Sequence, residues 1–177
     1  MKHPSSREFF ACWESARGAA RAPDRSDVDP NTVRRLLGDI FVLGYDRKAG
    51  FPFRVAGTRV CALAGRDLKD QSFSALFARE SRAEVEDIVT SVAELTVPAV
   101  ASIVATSEAG SATYLELLLL PFNRSDAPIS LIGLLAPLES NLVALRAFRL
   151  GSWRHLHGTA WAAPSTAARA PADGPMA

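Results

Sequence analysis

Residues 51–77, FPFRVAGTRVCALAGRDLKDQSFSALF, constrain this chain more than any other stretch. Phe51, Phe53 and Val55 alternate with Pro52, Arg54 and Ala56, a period of two that predicts a strand with one buried face. Pro52 suits the start or edge of a strand, where a missing N–H leaves no gap in the ladder. Gly57-Thr58 ends the strand. Val60, Leu63 and Ala64 then stand at i, i+3, i+4, one face of a short helix. Gly65 fits the left-handed position just past a helix C-terminus. Asp70 or Ser72 can cap a further short helix carrying Phe73, Leu76 and Phe77.

The flanking elements follow in order. Residues 5–18 predict an amphipathic helix, with Ser5 and Glu8 at capping-box spacing and Gly18 as its stop. Phe9, Phe10 and Trp13 make it apolar. They are either an interaction surface for a docking or dimer helix, or the face of a helix folded onto its own sheet. Residues 21–28 read as a linker. Asp29-Pro30 supplies an N-cap and a first-turn proline for a helix carrying Val33, Leu36 and Leu37. Residues 40–46, IFVLGYD, form a nearly continuous apolar run suited to a central strand. With the turn at 47–50 and the strand from Phe51, they predict a hairpin. Residues 81–95 are the clearest helix, with Ser81 and Glu84 again at capping-box spacing and Val85, Ile88, Val89, Val92 and Leu95 on one face. Strands are predicted over 99–106, 112–121 and 129–136, separated by polar turns. Residues 138–156 space Leu142, Leu145, Ala147 and Phe148 as a helix would, among Arg146, Arg149, Arg154, His155 and His157. From 159 onward the chain is Ala/Pro-rich and is expected to be disordered.

The pattern FRVAGTRV…LAGRDL…SF, set in the order two strands, helices, three strands, resembles the middle of a PAS domain. The likeness is to small bacterial PAS domain-containing proteins and spans residues 9–138. It implies an α+β fold: a five-stranded antiparallel sheet with helices packed on one face, plus an N-terminal helix. The expected organisation is residues 1–28 as N-terminal helix and linker, 29–138 as the PAS-like domain, 139–158 as a basic, helical extension and 159–177 as a disordered tail.

Composition narrows the role. Lys+Arg number 20 against 19 Asp+Glu, so no concentrated basic surface speaks for nucleic acid as the main partner. No apolar run is long enough for a membrane span, and the N-terminus lacks a signal-peptide core, so a cytoplasmic protein is expected. Cys12 and Cys61 lie in separate predicted helices without C-x-x-C spacing, which reads as two reduced, partly buried thiols. The histidines are His3, His155 and His157, all near the termini, so no nucleophile–base pair is legible in the core. His155-x-His157 is a weak metal candidate, and no metal site is expected.

The PAS resemblance invites cofactor checks. The haem type uses a histidine on or near the long helix, and none lies between Asp70 and Leu95. The flavin photosensor type carries Asn-Cys-Arg-Phe, whereas Cys61 sits in Arg59-Val60-Cys61-Ala62. Haem and flavin are thus disfavoured, and the photoactive type lacks its anchoring cysteine after the central helices. A small apolar ligand remains, with pocket walls from Phe53, Val60, Phe73, Phe77, Ile88, Val89 and Ile103, or the same residues are simply core. Arg59 is either the polar group of that pocket, or it is solvent-exposed or bridges to Glu116 or Asp67. The leading expectation is a sensor or protein-interaction module in signalling, a homodimer with no catalytic output of its own. The alternatives are a cone-shaped α+β isomerase or dehydratase with Glu116 as general base, and a ligand-free adaptor with a filled core.

Overall fold

The computed structural model describes residues 1–123, 130–139 and 143–156. Helix α1 (Pro4–Arg17) and helix α2 (Pro30–Leu36) precede a hairpin of β1 (Ile40–Leu43) and β2 (Phe53–Ala56). Helix α3 (Thr58–Ala64), a 3-10 turn (Ser74–Leu76) and helix α4 (Arg79–Leu95) follow. The chain closes with β3 (Ala99–Ser107), β4 (Ala112–Phe122), β5 (Ser130–Pro137) and β6 (Leu145–His155). All strand pairs are antiparallel, in the order β2-β1-β5-β4-β3-β6. The α+β sheet expected from the resemblance is present, with a sixth strand added at the β3 edge.

That sixth strand corrects the helical reading of the basic segment. β6 pairs with β3 through two register shifts. Its inward residues Leu145, Phe148, Leu150 and Trp153 are therefore spaced three, two and three apart. The shifts destroy the period of two by which a strand announces itself. Ala147, at φ 49°, bends the strand near its start. The tail at 159–177 lies outside the described residues.

The sheet is covered on both sides. Alternation places Leu115, Leu117 and Leu119 of β4 with Val85, Ile88, Val89 and Val92 of α4. Leu118, Leu120 and Phe122 face Phe9 and Trp13 of α1 instead. Each buried leucine contributes ~2 kcal/mol on either side, which explains why β4 is nearly apolar throughout. The N-terminal helix thus lies against the second face of its own sheet. Phe9 and Trp13 are 1% and 2% exposed, and the Trp13 indole N–H donates to the Pro121 carbonyl at 2.8 Å. The expectation that they form a contact surface is corrected: they are spent inside the chain. Phe10 is half-buried and stacks on Trp13.

The strand-to-helix junction is fixed by backbone. The Gly57 N–H donates to the Ile40 carbonyl at 2.8 Å. The N–H groups of Arg59 and Val60 both donate to the Gly38 carbonyl, at 2.9 and 3.2 Å. α3 has no side-chain N-cap, so that carbonyl satisfies donors a helix start leaves open. A Cβ on Gly57 would stand 2.2 Å from the Leu37 oxygen and 2.3 Å from the Gly38 oxygen. Gly65 closes α3 in the left-handed conformation, as its position predicts. Asp29 caps α2, accepting from the N–H groups of Asn31 and Thr32.

Both capping boxes read from sequence are put to other use. The His3 imidazole accepts from the Ser5 N–H, while Glu8 pairs with Arg35 of α2. Ser81 Oγ accepts from the Leu150 N–H at 3.1 Å, and Glu84 accepts from the Trp153 indole N–H at 2.9 Å. These two side chains clip β6 onto α4.

Gly57→Ala is expected to destabilise the protein by about 2–3 kcal/mol, because the intruding methyl meets backbone rather than a movable side chain. Urea unfolding measures this; a midpoint equal to wild type would show that the junction is looser than described.

Candidate functional site: an aromatic ladder ending in a groove

The seven apolar residues proposed as pocket walls do come together, as packed core. Phe53, Val60, Phe73, Phe77, Ile88, Val89 and Ile103 are each 0–2% exposed. Their rings touch directly. Phe41 lies 5.5 Å from Phe53 and 5.4 Å from Phe73, and Phe53 lies 5.6 Å from Phe73. Phe73 then meets Phe77 edge-on at 5.3 Å, and Phe77 meets Phe148 of β6 at 6.3 Å. Such contacts are worth about 0.5–1.5 kcal/mol each beyond area burial. The far end of the Phe41 ring can lie against β5 because residue 133 is glycine: a Cβ there would stand 2.0 Å from the ring.

Arg59 stands apart from this cluster. Its guanidinium donates through Nε and Nη2 to the two Asp39 carboxylate oxygens, both at 2.6 Å. The partner is therefore Asp39, neither Glu116 nor Asp67. Asp39 is buried while the Arg59 side chain is 43% exposed, so the pair spans the surface rather than lining an interior. The hydrogen bond to Asp39 raises the guanidinium further above its already high ordinary pKa, so Arg59 stays charged. No sequence spacing points to Asp39: it sits at the end of the α2–β1 turn, and only the folded junction brings it to Arg59.

Glu116 is buried on the α1 face of β4, 5% exposed. Its Oε2 accepts from the Lys2 N–H at 2.6 Å and its Oε1 from the His3 N–H at 3.0 Å. Both oxygens are engaged in holding the chain that leads into α1. The residue offered as a general base is thus an anchor for the N-terminal segment.

The ladder ends beneath the surface, at Phe77 and Phe148, which are 2% and 1% exposed. Phe77 and Phe148 line a groove of about 640 Å³ between α3, the 74–76 turn, the start of α4 and the start of β6. A Cβ at Gly65 would stand 3.1 Å from that of Ala144, so the end of α3 and the approach to β6 meet closely. Ala78 N–H donates to the Phe148 carbonyl at 2.8 Å, and Arg82 Nε donates to the Phe77 carbonyl at 2.9 Å. Arg66, Arg146 and Glu108 complete the polar walls, with Arg146 paired to Glu108. Sequence reasoning missed this groove because one wall of it, Leu145 to Phe148, belongs to β6, which reads as helix.

Two strands, short helices, a long helix and three strands in the spatial order 2-1-5-4-3 define a PAS-type domain, here with an added edge strand. Residues 1–136 match the PAS_5 family, a family of PAS domains, and the chain belongs to it. Among solved structures, the chain is similar to the light-state LOV domain of the blue-light photoreceptor Aureochrome1. The identity is 10%, the coverage 63% of this chain and 89% of that one, and the TM-score 0.46. That likeness says nothing of flavin or light in this chain. No curated protein matches.

Two outcomes are expected at these positions. In a double-mutant cycle of Phe77→Leu and Phe148→Leu, the coupling read by urea unfolding is about 0.5–1.5 kcal/mol; zero coupling would remove the ladder's last contact. Glu116→Gln, which can accept only one of the two N–H groups well, costs about 1–3 kcal/mol and speeds amide exchange at Lys2 and His3. Unchanged exchange there would show that Glu116 does not anchor the segment.

Proposed function

We propose that the protein is a sensory or protein-interaction module in signalling that acts by binding and carries no catalytic output of its own. The observation that carries this reading is the aromatic ladder. It connects the packed interior of a PAS domain to an edge strand that a partner or ligand can reach. Phe148 sits on a strand attached by a few identifiable bonds: Ser81 to Leu150, Glu84 to Trp153, Ala78 to Phe148. A binding event that favours one placement of β6 shifts a balance between two packings of that edge.

The directly packed rings favour a closed interior over a pocket holding an apolar ligand, which brings the filled-core adaptor and the sensor readings together. A homodimer would use surface other than Phe9 and Trp13, which are buried in the chain. No helix among the described residues is long and apolar enough to cross a membrane. A cytoplasmic setting with a signalling protein as partner stays part of the proposal.

Native mass spectrometry of freshly purified chain, followed by denaturing extraction, tests the closed interior. The expected result is a protein mass without a stoichiometric apolar companion. An apolar compound released at one per chain would overturn it and make the Phe53–Phe73–Phe77 cluster a ligand cage.

A further inference from the structure

We propose that the groove at the β6 edge binds a small polyanion, a molecule carrying two or more carboxylate or phosphate groups. The inference goes beyond the sensory reading, since it assigns a ligand class to a site outside the packed interior. Three guanidiniums, those of Arg66, Arg82 and Arg146, line one groove of about 640 Å³. The acid that lines it is Glu108, so three positive charges face one negative charge. The volume lies within the usual range for small-molecule sites, about 300–1,000 Å³.

Fold connectivity makes the three arginines converge. Arg66 follows Gly65, whose Cα carries the close approach to Ala144, two residues before Arg146. Arg82 is tethered to the Phe77 carbonyl, and Phe77 packs on Phe148, two residues after Arg146. All three arginines are exposed, so their charges are available to a ligand entering from solvent. Arg82 donates through Nε to the Phe77 carbonyl, which holds its guanidinium beside the groove. Arg146 holds Glu108 in a pair whose side chains are 74% and 67% exposed, a contact worth little and readily exchanged for a ligand anion. Guanidiniums suit both carboxylate and phosphate because their planar N–H forks engage two oxygens at once.

Isothermal titration of the full chain with citrate and, separately, with pyrophosphate at constant ionic strength tests the site, with sodium chloride as the matched control. One saturable site per chain is expected. Stronger binding of pyrophosphate assigns phosphate chemistry, and stronger binding of citrate assigns carboxylate chemistry. Arg66→Ala and Arg146→Ala each weaken binding about tenfold. Glu108→Gln acts in the opposite direction and tightens it, a response that general damage to the fold does not produce. Arg34→Ala, on α2, leaves it unchanged. Absence of saturable binding of both anions overturns the proposal, as does a double Arg66→Ala, Arg146→Ala variant that binds like wild type. The result is independent of the native-mass experiment, because an interior apolar ligand neither requires nor excludes this groove.

Discussion

A single carbonyl oxygen, that of Gly38, organises the first half of this protein. It receives the N–H groups of Arg59 and Val60 and so starts α3, while Asp39 beside it takes the Arg59 guanidinium in a two-pronged bond. Gly57 permits the approach, since its missing Cβ leaves room for the Leu37 and Gly38 oxygens. From this junction β1 and β2 set the edge of the sheet and α3 is aimed across its inner face. Arg59 therefore serves the architecture, and its exposed side reaches solvent rather than a ligand cavity.

The second dependence is on coverage of both sheet faces. β4 is apolar on each side because α4 covers one and α1 the other. A helix carrying Phe9 and Trp13 needs an apolar partner, and the chain supplies one from its own Leu118, Leu120 and Phe122. Glu116, the one charged residue within that strand, is tolerated because two backbone N–H groups meet its oxygens. A polar residue at a buried strand position can thus mark an anchor as readily as a catalytic base.

Function follows from where the packing stops. The rings of Phe41, Phe53, Phe73 and Phe77 run through the interior as one cluster and meet β6 at the buried Phe148. At that end the apolar ladder gives way to arginines around an open groove. In this PAS domain a tightly packed core thus adjoins an edge strand held by a few identifiable bonds.

The sequence by itself determined most of the element order. The alternation at Phe51, Phe53 and Val55 holds only in part, since β2 begins at Phe53, Phe51 has φ 57° and Val55 is exposed. The N-cap pair Asp29-Pro30, the glycine at 65 and the apolar face of α4 at Val85, Ile88, Val89 and Val92 are local signals set by backbone geometry and side-chain period. They appear in the structure within a few residues of where the chain announces them. The side chains of Phe53, Phe73, Phe77 and Ile103 were legible as one cluster, either the walls of a pocket or simply core, and the structure packs them as core. Tertiary structure alone decided the rest. The partner of Arg59 lies twenty positions away across a turn, and no local period reveals a contact between separate elements. Ser81 and Glu84 had the spacing of a cap, yet a strand from the far end of the chain competes for them and wins. β6 was hidden because its bulges give inward residues a spacing close to that of a helix. A register shift is a property of two paired strands, and one strand's sequence does not contain it.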